Sequence, residues 1–177
     1  STLRAAPVSF AGSPLLARHA GLVLALVAAA AVASNWYIAS WWLAEPHRGY
    51  GVKWGKTWYG RPARDTTELA YWTAGFAQVS FSVGALAMLL QRGHSGGQSY
   101  AIWFCRFVGT LMGLPICVGL LGWYWPEAHG FVWEPASIIM LSAGIVCDIA
   151  YPFLLAYVRS TEKVLPDGTI IMGDAVA

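Results

Sequence analysis

The chain has 177 residues, 57% of them hydrophobic and only 11% charged, with a formal charge of +2. An ordinary soluble domain is about a quarter charged, so this composition belongs to a membrane protein. Its 11 Lys and Arg are scattered along the chain rather than gathered on one basic face, which excludes nucleic acid as a partner.

A hydrocarbon core about 30 Å thick needs roughly 20 apolar residues per helical span. Four stretches reach that length: about 19–43, 69–92, 100–125 and 133–159. The expected fold class is therefore all-α, an integral membrane four-helix bundle forming a single transmembrane domain over residues 1–177. A cap loop at 45–68 and a polar tail at 160–177 complete it.

In the first span, Arg18 followed by "HAGLVLALVAAAAVAS" has the look of a signal peptide with a cleavage site near Ala33. The apolar run continues through "NWYIASWWLA", too long for such a leader, and reads as a membrane helix. The loop "EPHRGYGVKWGKTWYGRPARDTTE", Glu45 to Glu68, carries five Lys or Arg, two Trp and two Tyr. Its glycines and Pro62 discourage a long helix, and its rings suit the headgroup zone. It is either a structured cap or a plain interfacial anchor. "RGHSGGQS", Arg92 to Ser99, is short and rich in turn formers, so the second and third helices should be antiparallel neighbours. Pro126 ends the third helix, and Pro135 sits in the first turn of the fourth, where a missing N–H costs little. In the tail, "LPDGT" suggests a tight turn. Arg4, Arg18, Arg92, Arg159 and Lys163 on one side balance the five basic residues of the first loop, so basic residues do not set the orientation.

Helices in lipid associate through small residues, close packing and interhelical hydrogen bonds, so polar stripes mark inward faces. Helical spacing puts Tyr71, Gly75, Gln78 and Ser82 on one face, Trp103, Arg106, Thr110 and Gly113 on another, and Ser137, Leu141, Gly144, Asp148 and Tyr151 on a third. The first helix offers Ala28, Ala31, Asn35 and Trp42. Asn35, Gln78, Arg106 and Asp148 would thus face a shared interior.

Asp148, within "GIVCDIAYPFLLAYVRST", is the one carboxyl well inside a span. An ionisable residue at that depth is costly and marks a functional site by default. Burial favours the neutral acid, able to donate a proton, whereas a neighbouring Arg106 favours the ionised carboxylate. A catalytic acid and a structural Arg106 to Asp148 pair both remain open.

The cysteines, Cys105, Cys117 and Cys147, have no metal-ligand or redox spacing and read as small core residues. His19, His47, His94 and His129 fall at span ends or in loops, with no two on one helix face for haem or metal. With no phosphate-binding glycine loop or nucleophile elbow in the chain either, no cofactor and no metal are expected.

The run "AYWTAGFAQVSFSVGALAMLLQRGHSGGQSYAIWFCRFVGTL", then "WYWPEAHGF", then "CDIAYPFLLAYVRSTE" resembles the small integral-membrane terpene cyclases of fungal meroterpenoid and indole-diterpene pathways. The likeness covers about Ala70 to Glu162. Its most specific pieces are the string from Arg92 to Gly109, the "YWPE" of Tyr124 to Glu127, and Asp148 with Tyr151 three residues on. The resemblance implies proton transfer to an epoxide, or sometimes an alkene, of a polyprenyl chain, and ring closure of the cation without metal. Asp148 matches the acid of that family's last helix. The family usually has seven spans, with a second acid, a glutamate after a tryptophan, in the second. By this likeness the four spans correspond to the last four, and "NWYIASWW" of the first carries no acid. Glu45, Glu68, Glu127 and Glu134 are the remaining acids near the membrane boundary. Glu127 either replaces the missing acid or caps the third helix.

The expected function is cofactor-independent, acid-catalysed opening of an epoxide on a lipophilic terpenoid or polyketide precursor, with cyclisation, in secondary metabolism. Asp148 and Glu127 are the candidate catalytic residues. Asn35, Trp72, Gln78, Trp103, Arg106 and Tyr151 are candidates for substrate binding. Trp72, Trp103 and Trp125 offer ring faces to a cation, worth about 0.5 to 2 kcal/mol each. The alternatives are an epoxide hydrolase on the same substrate class, and a non-catalytic scaffold or small transporter built around an Arg106 to Asp148 pair. The expected partners are the epoxide-bearing substrate, membrane lipid of the endoplasmic reticulum, and a second copy in a homodimer.

Overall fold

The structure is a computed structural model and describes residues 18–50, 57–96, 98–164, 166 and 170–171. Among the described residues four helices are long and apolar enough to cross a membrane, which makes the protein an all-α membrane bundle. The first span is α1 (Ala20–Ala44) and the second is α2 (Thr67–Arg92). The third consists of α3 (Tyr100–Leu111), a π-helical turn at Met112–Ile116, and α4 (Cys117–Tyr124). A short helix α5 (Pro126–His129) and a 3-10 turn (Gly130–Trp133) lead into the fourth, α6 (Pro135–Thr161).

Local chemistry sets the boundaries. Asp65 Oδ1 accepts hydrogen bonds from Thr67 N at 3.0 Å and Thr67 Oγ1 at 2.6 Å, satisfying a free donor at the start of α2. Gly93 ends α2 in the left-handed conformation, its N–H bonded to Leu89 O. Ser99 Oγ accepts from Ile102 N and caps α3. Pro115 cannot donate the bond an α-helix asks of it, and the chain answers with the π turn, in which Cys117 N reaches Met112 O. Pro135 stands at the start of α6, where its missing N–H is harmless.

The described residues of the cap loop are gathered around arginines. Thr57–Trp58 (β1) pairs with Arg61–Pro62 (β2) across a left-handed Tyr59 and Gly60, and Arg64 bonds to the carbonyls of Glu45 and Pro46. Arg48 lies over the Trp41 ring at 4.3 Å, and Arg64 over Trp42 and Tyr50. In the tail, Lys163–Val164 (β3) pairs with Ile170–Ile171 (β4). The turn expected at 165–169 lies outside the described residues, apart from Pro166.

The tightest packing is between α2 and α6, where small residues let the backbones approach. Gly144 meets Val79, and a Cβ at Gly75 would collide with the end of Met140. Two apolar clusters flank this seam: Leu89, Tyr151, Leu155 and Val158 at one end, Tyr71, Phe131 and Val132 at the other. The first helix departs from expectation, because Ala28, Ala31 and Asn35 are exposed rather than turned inward. It is apolar all round, so no stripe directs one face to the bundle. It is fixed instead at its end, where the buried Trp42 donates from Nε1 to Glu68 Oε2 at 3.0 Å.

Candidate active site

Asp148 is fully buried on α6 and is held from two sides by α3. Trp103 Nε1 donates to its backbone carbonyl at 2.8 Å, and Arg106 Nη2 donates to its Oδ1 at 2.7 Å. Its Oδ2 is buried with no hydrogen-bond partner. The carboxyl therefore offers one oxygen anchored by a guanidinium and one uncommitted oxygen.

Arg106 is fixed in turn. Its guanidinium lies over the rings of Phe81 at 5.3 Å and Tyr151 at 5.1 Å. Its backbone carbonyl accepts from Thr110 Oγ1 at 3.0 Å, and that hydroxyl accepts from Gln78 Nε2 at 2.8 Å. The structure thus brings together Gln78, Trp103, Arg106, Asp148 and Tyr151 from three helices, as helical spacing indicates.

Beside this cluster, α1 and α2 enclose a cleft of about 870 Å³, within the range of small-molecule sites. Phe76, Phe81, Gly84 and Ala85 form much of its wall, and Arg106 and Tyr151 reach it from behind. Asp148 does not line it but stands one layer deeper.

The other candidates lie elsewhere. Asn35 borders the cleft but is exposed, its amide bonded back to Ala31 O at 2.9 Å. Trp72 packs edge-on against Trp41 and Tyr71 and approaches Glu68, in a boundary cluster with Trp42 and Arg48. Glu127 is exposed in the first turn of α5. Because α6 rises about 20 Å between Pro135 and Asp148, Glu127 and Asp148 do not share a site. Trp125 packs against His129.

Phe81 was not singled out from the sequence, although it lies three residues from Gln78 on α2, a spacing that marks a shared face. His129 falls in a connection between spans, yet it is buried, with Nδ1 3.2 Å from Trp125 O. A histidine between aromatic residues in "WPEAHGF" was the available signal. Among the described residues no cluster of three or more His, Cys, Asp or Glu is placed to hold a metal.

A family model described as Pyr4-like transmembrane terpene cyclases matches residues 1–161, extending the likeness well before Ala70. The terpene cyclase ascF of Acremonium egyptiacum is 34% identical over 175 residues, 99% of this chain and 61% of that protein. The terpene cyclase macJ of Penicillium terrestre is 28% identical over 163 residues, 92% of this chain and 55% of its own. The terpene cyclase dpchB of Colletotrichum higginsianum is 41% identical over 95 residues, 54% of this chain and 39% of its own. The chain thus spans little more than half the length of the first two relatives, and no solved structure matches it. With its four membrane helices and its match over nearly the whole sequence, the chain belongs to the Pyr4-like transmembrane terpene cyclases.

Proposed function

We propose that the protein opens an epoxide on a lipophilic terpenoid or polyketide precursor by acid catalysis and closes a ring on the resulting cation. The observation that carries this reading is the buried Asp148 carboxyl, with Oδ1 held by Arg106 and Oδ2 unpartnered, directly behind the wall of an apolar cleft. The epoxide oxygen is drawn in between Arg106 and Tyr151 and takes the proton from Oδ2 as its C–O bond breaks. An internal alkene attacks the carbon, the epoxide oxygen becomes a hydroxyl, and the new cation gives up a proton that returns, directly or through water, to the Asp148 carboxylate and restores the acid. The carboxylate left on Asp148 is stabilised where it forms, because Arg106 is already in contact with it.

Turnover of an epoxidised polyprenyl substrate in microsomes expressing the protein tests this. Asp148→Asn should abolish cyclisation in a folded protein, and retained turnover removes Asp148 as the acid. A product carrying two hydroxyls instead of a ring identifies water as the nucleophile and the protein as an epoxide hydrolase. A non-catalytic role is supported by one observation, the 2.7 Å contact itself, which suits a structural ion pair equally well.

A further inference from the structure

Asp148 is held through its main chain as well as its carboxyl, and the main-chain contact originates in a proline. In an α-helix each carbonyl accepts from the N–H four residues on, so the Asp148 carbonyl would pair with the N–H of residue 152. That residue is Pro152, inside α6, which has no N–H to give. A proline ring also crowds the carbonyl four positions before it and presses it away from the helical ladder. In a bilayer, which offers no water at that depth, the freed carbonyl must be satisfied by a neighbouring helix.

Trp103 satisfies it, donating from Nε1 on α3 to Asp148 O at 2.8 Å. The indole is itself fixed. It stacks on Phe107, with centroids 5.5 Å apart and planes 12° from parallel, and packs against the cluster of Leu89, Tyr151, Leu155 and Val158. Trp103 does not line the cleft, and its indole N–H is already committed, so it does not meet a substrate there. Three residues further along the same face of α3, Arg106 donates to Asp148 Oδ1. Thus α3 holds a single residue of α6 at two points, a main-chain oxygen and a side-chain oxygen.

We propose that Trp103 and Pro152 are a positioning pair for Asp148: the proline frees the carbonyl, the indole captures it, and the capture fixes the register of α6 against α3 so that the carboxyl stays on Arg106. The inference rests on the reading of Asp148 as the acid only for its catalytic consequence. A guanidinium on a long side chain follows a carboxyl through small movements, whereas the rigid indole does not. Arg106 therefore holds the charge, and Trp103 holds the place. A bond at the Asp148 carbonyl resists both sliding of α6 along α3 and rotation about its own axis, where a slip of one residue would turn the carboxyl by about 100°. Misplacing a reacting group by about 1 Å can cost about 100-fold in rate, so the register bears directly on turnover.

The test is a double-mutant cycle of Trp103→Phe, which keeps a stacking ring but removes the N–H, with Pro152→Ala, which returns an N–H to the helix. Stability is read by sodium dodecyl sulfate unfolding from dodecylmaltoside micelles, followed by circular dichroism. The acid is read by turnover of the terminal epoxide of farnesyl acetate, and by the infrared bands of the Asp148 carboxyl, isolated by difference from Asp148→Asn. Trp103→Phe should lower the folding equilibrium constant about tenfold more in the unaltered background than in the Pro152→Ala background, where the restored N–H covers the orphaned carbonyl. It should also lower kcat at least about tenfold with KM nearly unchanged, and shift the carboxyl bands. Adding Pro152→Ala should recover stability but neither kcat nor the bands, because the helix N–H satisfies the carbonyl without tying it to α3. Equal losses of stability in both backgrounds overturn the pair, and recovery of kcat and bands along with stability reduces the bond to a structural one and overturns the positioning role. A probe that the unaltered protein does not turn over counts against the epoxide reading alone, and the infrared bands then decide the positioning. Normal turnover in Asp148→Asn removes the acid, and the catalytic role of the pair with it, while the coupling between Trp103 and Pro152 stands. Absent coupling beside an inactive Asp148→Asn removes the pair and leaves the acid.

Discussion

Replacing Asp148 with asparagine distinguishes a proton donor from a counter-ion. The carboxyl is fully buried, Oδ1 accepts from Arg106 at 2.7 Å, and Oδ2 has no partner. An amide keeps an acceptor for Arg106 and places its NH2 where Oδ2 stood. If Asp148 rests as a neutral acid, one neutral group replaces another. An unpartnered donor then succeeds an unpartnered oxygen, at a net cost of about 1 kcal/mol. If Asp148 is ionised, the substitution strands the Arg106 charge, and losing one partner of a buried pair costs about 3 to 5 kcal/mol. The acid mechanism predicts the small cost together with at least a 100-fold loss of turnover, within the range of roughly 10² to 10⁴ that a general acid supplies. Arg106→Met should cost about 2 to 3 kcal/mol, since it leaves Oδ1 unpaired and removes the cation from the Phe81 and Tyr151 faces. Unfolding by sodium dodecyl sulfate from dodecylmaltoside micelles, followed by tryptophan fluorescence, measures both variants, with turnover assayed on the same preparations. A cost of 3 to 5 kcal/mol for Asp148→Asn, largely recovered when Arg106→Met is added, would refute the reasoning and leave a structural ion pair.

Glu127→Gln should change turnover by less than about tenfold, because the side chain is exposed in α5 and far from Asp148; a loss matching that of Asp148→Asn would make it the second acid. Turnover should survive chelators, since the chemistry proposed draws its proton from Asp148; loss of activity in EDTA, restored by a divalent cation, overturns that scheme. Gly49→Ala should destabilise by about 2 kcal/mol or more, as Gly49 has φ +81° and a Cβ there would stand 2.5 Å from Asp65 O, whereas Gly21→Ala, with nothing within 4 Å, should be neutral or slightly stabilising. We propose that the protein self-associates as a dimer through the uncovered length of α1; native mass spectrometry in mild detergent that finds only active monomer refutes this.

What the sequence made legible follows from the solvent. Length and apolarity alone delimit a membrane helix, so the four spans could be read directly. Polar residues at helical spacing also had to face inward on α2, α3 and α6, because lipid offers Gln78, Arg106 and Asp148 no partners. On α1 the same reasoning failed, since Asn35 is satisfied by Ala31 O within its own helix and needs no neighbour. Asp148 could be recognised as an anomaly, but not the choice between its partners, which depends on the depth at which α3 and α6 cross. That its carboxyl sits behind Arg106 and Tyr151, rather than on the cleft wall, is a matter of one layer of side chains that no spacing encodes. The polar end of the cleft, lined by Arg92, His94, Ser95 and Gln98, is hidden in the sequence for a related reason. Arg92 and His94 read as an ordinary loop until the ends of α2 and α6 are brought together by Glu162 and Arg159.

The π turn at Pro115 acts as a phase correction within the third span. In an unbroken α-helix each residue turns the chain by about 100°, so Gly122, sixteen positions after Arg106, would point about 160° away from it. Absorbing one extra residue in the turn brings that difference to about 60°. Arg106 can then face Asp148 while Gly122 packs against Val132 and accepts a hydrogen bond from Trp133. The two halves of the span thereby keep separate angular registers, each addressed to a different part of the approach to α6. Deleting one residue between Met112 and Ile116 should therefore swing one half out of alignment with the other, a far larger change than the loss of any single side chain there.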